Sequence, residues 1–180
     1  LLLLGLLVVL FIAAQRLLRE PGPRRRYHRA LLRLPIVGRL TRGINTARFT
    51  RTLSILAGSG VPVLESLRIA GEVINNIPMR EAVEDTSLRV REGAPIAASL
   101  SASRLFPPMT LHLISSGEAS GELENMLERA AVNQEREVDA LIATMLSILE
   151  PVLILLMGAL VLIIVLAILM PIFELNQLVA

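Results

Sequence analysis

Between Asn45 and Pro151 apolar residues recur three and four positions apart, and no stretch sustains the alternation of a half-buried strand, so the pattern predicts helices throughout. A first helix is expected from about Asn45 to Ala57, with Phe49, Leu53 and Leu56 on one face and Gly58-Ser59-Gly60 as its stop. Pro62 suits the first turn of a second, whose inner stripe reads Val63, Leu67, Ala70 and Ile74 while Arg68 and Glu72 pair on the wet side. After Asn75-Asn76, Pro78 restarts the chain: Met79, Val83 and Val90 point inward, Glu81, Glu84, Asp85, Arg89 and Arg91 outward, and Gly93 closes the element. Pro95 to Ser101 forms a short helix carrying Ile96 and Leu100, and Pro107-Pro108 opens another that reaches about Ser116 with Met109 and Leu113 buried.

Ser120 is placed to cap the sixth helix, with Glu122 and Glu124 in a first turn where the helix dipole favours negative charge. Its stripe Leu123, Met126, Leu127, Ala130, Ala131, Val138, Leu141, Ile142 and Met145 meets no glycine or proline before Pro151. Gly121 to Glu150 would make a rod of about 45 Å, bending if at all at Pro151. From Pro151 to Phe173 there are 23 uncharged residues, about 34 Å of helix and enough to span a bilayer, with Gly158-Ala159 permitting close helix packing. The opening run Leu1 to Ala14, about 21 Å as a helix, is short of the roughly 30 Å hydrocarbon core and reads as the end of a span belonging to a longer protein.

Hydrophobic residues make up 53% of the 180, too many for a freely soluble globule and consistent with part of the chain lying in lipid. Charge then orients it. Arg16 to Arg51 holds 11 arginines against the single acid Glu20, which places that side in the cytoplasm, while the tail after Phe173 carries Glu174 and no arginine, as on the far side of the membrane. Arg24, Arg25 and Arg26 are accordingly read as membrane-surface residues touching anionic headgroups rather than as a nucleic-acid patch, and 3% aromatic content leaves few platforms for stacking bases. Thr52 to Glu150 carries 7 arginines and 14 acids, a net −7 that suits a basic protein partner. The expected organisation is a truncated transmembrane helix over 1–18, a basic juxtamembrane segment over 19–44, a cytoplasmic helical bundle over 45–146, a transmembrane helix over 147–173 and a periplasmic tail over 174–180. The fold class is all-α: a six-helix bundle flanked by transmembrane helices, with its last helix continuous with the C-terminal span.

Chemistry is scarce. Cysteine is absent, so disulfides, thiolate metal sites and cysteine nucleophiles are excluded, and the absence of lysine removes both the P-loop lysine and Schiff-base chemistry. Gly58-Ser59-Gly60 lacks the third glycine of a dinucleotide fingerprint, since Val63 stands there. His112, Ser115 and Glu118 lie three and six residues apart on one helix, poor geometry for a triad and without an oxyanion-hole motif. Glu118, Glu122 and Glu124 lack the oxygen spacing of a calcium loop and read as a solvated helix start. Glu150 is an acid at the membrane boundary, either a contact point or switch or simply an interfacial carboxylate in water, and the span beyond it has no ionisable group from which to build a proton or ion path. No catalytic, cofactor-binding or metal residue is assigned.

Several strings resemble a known family. Phe49 with Arg51-Thr52-Leu53, Gly58-Ser59-Gly60-Val61-Pro62, Arg91-Glu92-Gly93, Phe106-Pro107-Pro108-Met109, Ser116-Gly117-Glu118-Ala119-Ser120-Gly121-Glu122-Leu123, Leu149-Glu150-Pro151, and Pro171-Ile172 to Leu175-Asn176 resemble the second cytoplasmic repeat and last span of the type II secretion platform family, general secretion pathway protein F. The resemblance implies a non-enzymatic, multi-pass protein of the bacterial inner membrane with two related six-helix cytoplasmic domains and three spans. It implies as partners a cytoplasmic secretion ATPase, other inner-membrane secretion subunits, pseudopilins, membrane lipids and further copies of itself, without nucleic acid or cofactor. Glu118, Gly121, Glu122, Glu150 and Pro151 are carried over as partner or structural positions. The related platform of type IV pili shares the architecture, and a passive scaffold that merely anchors the ATPase is the third reading; Leu175-Asn176 after Pro171-Ile172 leans toward secretion.

Overall fold

A computed structural model describes residues 21–178; the first predicted span, residues 1–18, lies outside them. Among the described residues there are only helices: α1 Pro21–Arg33, α2 Pro35–Gly58, α3 Val63–Glu72, α4 Ile77–Arg91, α5 Ile96–Ser101, α6 Pro108–Ser120 and α7 Leu123–Leu178. The all-α reading holds. The chain divides into two compact units, with the boundary between Val138 and Asp139 inside α7.

In the first unit α2 packs on α1 and α3, α4 on α3, α5 and α1, and α5 on α6. Phe49, Leu53, Leu67, Ala70, Ile74, Met79, Val83, Leu100, Ile114 and Leu127 are the inner members of one apolar core, and Phe106 sets its ring 5.6 Å from that of Phe49 in a tilted pair. Prolines and glycines punctuate the helices as their backbone limits require. Pro35 and Pro108 sit in first turns, where the missing N–H costs no hydrogen bond. Gly60, Gly93 and Gly121 turn the chain with φ of +76°, +92° and +75°, a region closed to most side chains.

Three expectations change. The helix expected from Asn45 begins ten residues earlier, at Pro35. Over those ten residues the buried positions are Gly38 and Gly43, which leave no apolar periodicity to read. Thr50 returns its hydroxyl to the carbonyls of Thr46 and Ala47, which lets a polar side chain lie against the core. In α6 the inner face is Thr110, Ile114 and Gly117, while Met109 is 56% exposed and Leu113 only half-buried. The helix is turned by about one residue, or 100°, from the predicted phase because Thr110 bonds Gln134 and Gly117 must face a neighbouring backbone. Val63, expected inside α3, is likewise exposed.

Within α7 the first unit takes Leu127, Ala130, Ala131, Gln134 and Val138 as its buried face. In the second unit every side chain from Ile142 to Leu169 is exposed. The helix passes Pro151 and Pro171 without a break. Among the described residues α7 is the one helix long and apolar enough to cross a membrane.

Candidate functional site

The densest sequence signature, Ser116 to Leu123, forms a joint between α5, α6 and α7. Helix α5 opens at Pro95 without a side-chain cap of its own, so its first N–H groups need an acceptor from elsewhere. Glu118 supplies it from α6: one carboxylate oxygen accepts from Ile96 N at 2.5 Å and the other from Ala97 N at 3.0 Å. A negative group at a helix start is favoured by the exposed N–H groups and by the dipole together. One residue earlier, Gly117 is buried, and a Cβ there would lie 2.9 Å from Leu123 Cα and 2.9 Å from Met126 Cβ, so only glycine lets α6 run this close to the start of α7. Gly121 supplies the left-handed turn between the helices, and the Ser120 hydroxyl accepts from Glu122 N at 3.3 Å.

Of the predicted positions, then, Glu118 and Gly121 are joined in one structural element. Glu122 lies beside them on the surface, where its carbonyl accepts from Met126 N to begin α7. Glu150 and Pro151 are exposed on α7 in the second unit. Arg24, Arg25 and Arg26 are exposed on α1; Arg25 reaches Glu81 of α4 through Nη2 at 2.8 Å and Nε at 3.1 Å. Among the described residues no three acidic or histidine side chains gather where they could hold a metal, and His112 and Ser115 are not bonded to Glu118.

Other polar ties were invisible in the one-dimensional pattern because their partners are far apart along the chain. Arg51 on α2 grips Glu135 on α7 through Nε and Nη2, at 2.8 and 2.5 Å. That double hydrogen bond raises the affinity of Arg51 for its proton and lowers that of Glu135, chiefly through the side-chain hydrogen bond itself. Gln134, almost wholly buried, accepts from Thr110 Oγ1 at 3.2 Å. Asn45 Oδ1 accepts from Asn75 N and Asn76 N at the end of α3, and Asn76 caps α4 by accepting from Met79 N. His28 Nδ1 accepts from Ile77 N at 3.1 Å; partial burial and the nearby Arg24 and Arg80 hold this imidazole below its ordinary value. These ties staple α1, α2, α4 and α7 together. Each of these long-range contacts fixes one helix to another.

The fold and its joint define an all-helical module that carries, among the described residues, one helix long and apolar enough to cross a membrane. Residues 49–171 match the family model described as type II secretion system (T2SS), protein F. The chain is 54% identical to type II secretion system protein F of Pseudomonas aeruginosa over 90% of its own length and 40% of that protein's, and 51% identical to the Aeromonas hydrophila protein of the same name over 90% and 42%. It is 38% identical to type IV pilus assembly protein PilC of Thermus thermophilus, over 96% and 43%. The chain belongs to the type II secretion system protein F family, and it spans about two fifths of the length of the curated relatives it matches.

Proposed function

We propose that this chain is part of the non-enzymatic inner-membrane platform of a type II secretion system, coupling a cytoplasmic secretion ATPase to pseudopilus assembly and so to export of proteins from the periplasm. Family membership supports the platform role, and the greater identity to the secretion proteins than to PilC favours secretion over pilus assembly. The excess of arginine before Arg51 supports a bundle in the cytoplasm and a C-terminus in the periplasm. Glu118, Gly121 and Glu122 would hold the moving parts of the bundle in register, while Glu150 and Pro151 mark the bilayer boundary. Pseudopilins and other inner-membrane subunits are the partners proposed on the membrane side, with a second copy of the chain as a further neighbour.

The single observation that carries this reading is the unbroken helix from Leu123 to Leu178. A rod transmits displacement along its axis only while its backbone hydrogen bonds stay intact. Two glycines inserted after Asn133 in the full-length protein weaken the rod, at roughly 1 kcal/mol per glycine, and rotate the remainder of the helix by about 200°. Two alanines inserted at the same place impose the same turn and keep the helix. Loss of secretion with the glycine pair, with membrane insertion retained and the alanine variant more active, is the expected result. Secretion unchanged by the glycine pair removes the lever. If instead the rod variants are active and charge reversal at Glu81, Glu84 and Asp85 stops the ATPase from co-purifying, the bundle is a passive anchor.

A further inference from the structure

The arginine-rich end of the bundle has chemistry that the platform reading leaves unused. On α1, Arg25, Arg29 and Arg33 succeed one another at intervals of four and so share a face. Arg25 is spent on Glu81. Arg29 and Arg33, joined by Arg42 of α2, line an open cavity of about 520 Å³ whose one carboxylate is that same Glu81. None of these three arginines is ion-paired among the described residues, and no acid occurs anywhere from Pro21 to Arg51. Arg42 is held in place by donating from Nη1 to Leu32 O at 2.8 Å. The size is that of a small-molecule subsite and the charge is uncompensated.

Immediately after Arg33 comes an elbow where α1 meets α2, and its apolar side chains face out: Leu34 is 49% exposed, Ile36 61% and Val37 40%. Leu34 directly follows Arg33 of the cavity lining, so exposed apolar side chains adjoin unpaired guanidinium groups along the chain and make an amphiphilic surface. A free anion would satisfy the cavity and leave the elbow in water. An anionic phospholipid satisfies both, with its phosphate taken by the arginines and the elbow entering the headgroup boundary. The run Leu1 to Ala14 ends seven positions before Pro21, at most about 25 Å of extended chain, which keeps α1 near a bilayer that holds that run.

We infer that the cavity lined by Arg29, Arg33 and Arg42 binds the phosphate of an anionic phospholipid while Leu34, Ile36 and Val37 seat in the adjacent membrane surface. The inference rests on the proposed membrane role in requiring a bilayer beside α1. It adds a contact that is separate from the spans and from Arg24 to Arg26.

The test uses the full-length protein in phosphatidylcholine nanodiscs containing phosphatidylglycerol, with retained phosphatidylglycerol counted by native mass spectrometry. Arg29→Gln with Arg33→Gln, both at exposed positions, should weaken retention about thirtyfold, from about tenfold per 1.4 kcal/mol and the usual attraction of each basic residue to an anionic surface. Arg48→Gln with Arg91→Gln removes the same charge elsewhere and should change retention little. Ile36→Ser should weaken it about threefold, and glycerol phosphate should compete poorly. Equal retention in all variants overturns the inference, as does equal loss in the pocket and control pairs, which would mean diffuse surface charge. Full displacement by glycerol phosphate, or indifference to Ile36→Ser, makes this a site for free phosphate and overturns the lipid assignment. Melting monitored by circular dichroism confirms that each variant folds; if the double variant does not, Arg33→Gln alone is measured in the same way. Both leaflets of a nanodisc carry the lipid, so the result is independent of orientation in the cell; failure of the topology would appear in cysteine labelling at Arg26→Cys in cells.

Discussion

One helix, α7, contains two regions that obey different rules. From Leu123 to Val138 its residues are sorted by face: Leu127, Ala130, Ala131, Gln134 and Val138 are buried, while Glu124, Glu128 and Arg129 are exposed. From Ile142 to Leu169 every side chain is exposed, and after Glu150 none of these is charged. A protein neighbour distinguishes the sides of a helix, whereas hydrocarbon treats them alike, so the first region has a periodic sequence and the second a uniformly apolar one. The same backbone therefore tolerates substitution very differently along its length.

The largest effect is expected where that difference is sharpest. Leu127→Ala removes a fully buried side chain and should destabilise the bundle by about 3 to 4 kcal/mol in denaturant titration, while Leu155→Ala, at a position 74% exposed, should leave that transition unchanged. Equal losses would mean that the apolar region also packs against the bundle. The converse substitution is Val161→Arg, expected to cost about 3 kcal/mol of membrane insertion in a translocation assay, where Glu128→Arg, at an already charged and exposed position, should cost none.

Glycines sharpen the contrast at a smaller scale. Gly117→Ala forces a Cβ to within 2.9 Å of the Leu123 backbone and should cost about 2 kcal/mol, measured by thermal unfolding; at Gly158 nothing lies within 4 Å and alanine should be harmless. At the joint itself, Glu118→Ala strands Ile96 N–H and Ala97 N–H and should cost about 1.5 kcal/mol, with Glu118→Gln intermediate because it keeps one acceptor. A Glu118→Ala variant as stable as the parent would show that water caps α5 equally well.

The smallest effect is a pH dependence that belongs to the first unit and not to α7. His28 is held below its ordinary value near 6.5 and accepts from Ile77 N through Nδ1, so the folded state favours the neutral ring. Its contribution is complete above pH 6.5 and is lost as the pH falls from there through the lower folded value, where the unfolded chain takes up the proton first. His28→Gln should flatten the stability profile in that window; an unchanged profile would assign the dependence to another group.

Much of this is legible in the sequence alone. The turn at Gly58-Ser59-Gly60, the Asn76 to Pro78 restart and the Arg68 to Glu72 pair arise from local backbone limits and four-residue spacing, and each is present. The phase of α6 is not legible in the same way, because Met109 and Leu113 are more hydrophobic than Thr110 and Gly117, yet the smaller residues occupy the interface. Hydrophobicity ranks side chains by their transfer from water; it does not register that a hydroxyl has a buried partner or that two backbones must approach closely.

By itself the sequence determined that the chain is helical, that it carries a run long enough to cross a bilayer, and that arginine collects on one side of it, since these properties depend on spacing and solvation along a single line. Only the tertiary structure decided that Glu118 caps α5, that Arg51 holds Glu135 across 84 residues, and that Arg29, Arg33 and Arg42 share a cavity. Pairings of that kind arise from the free energy of the packed whole, and residues so distant in the chain leave no periodic trace of the partner they will meet.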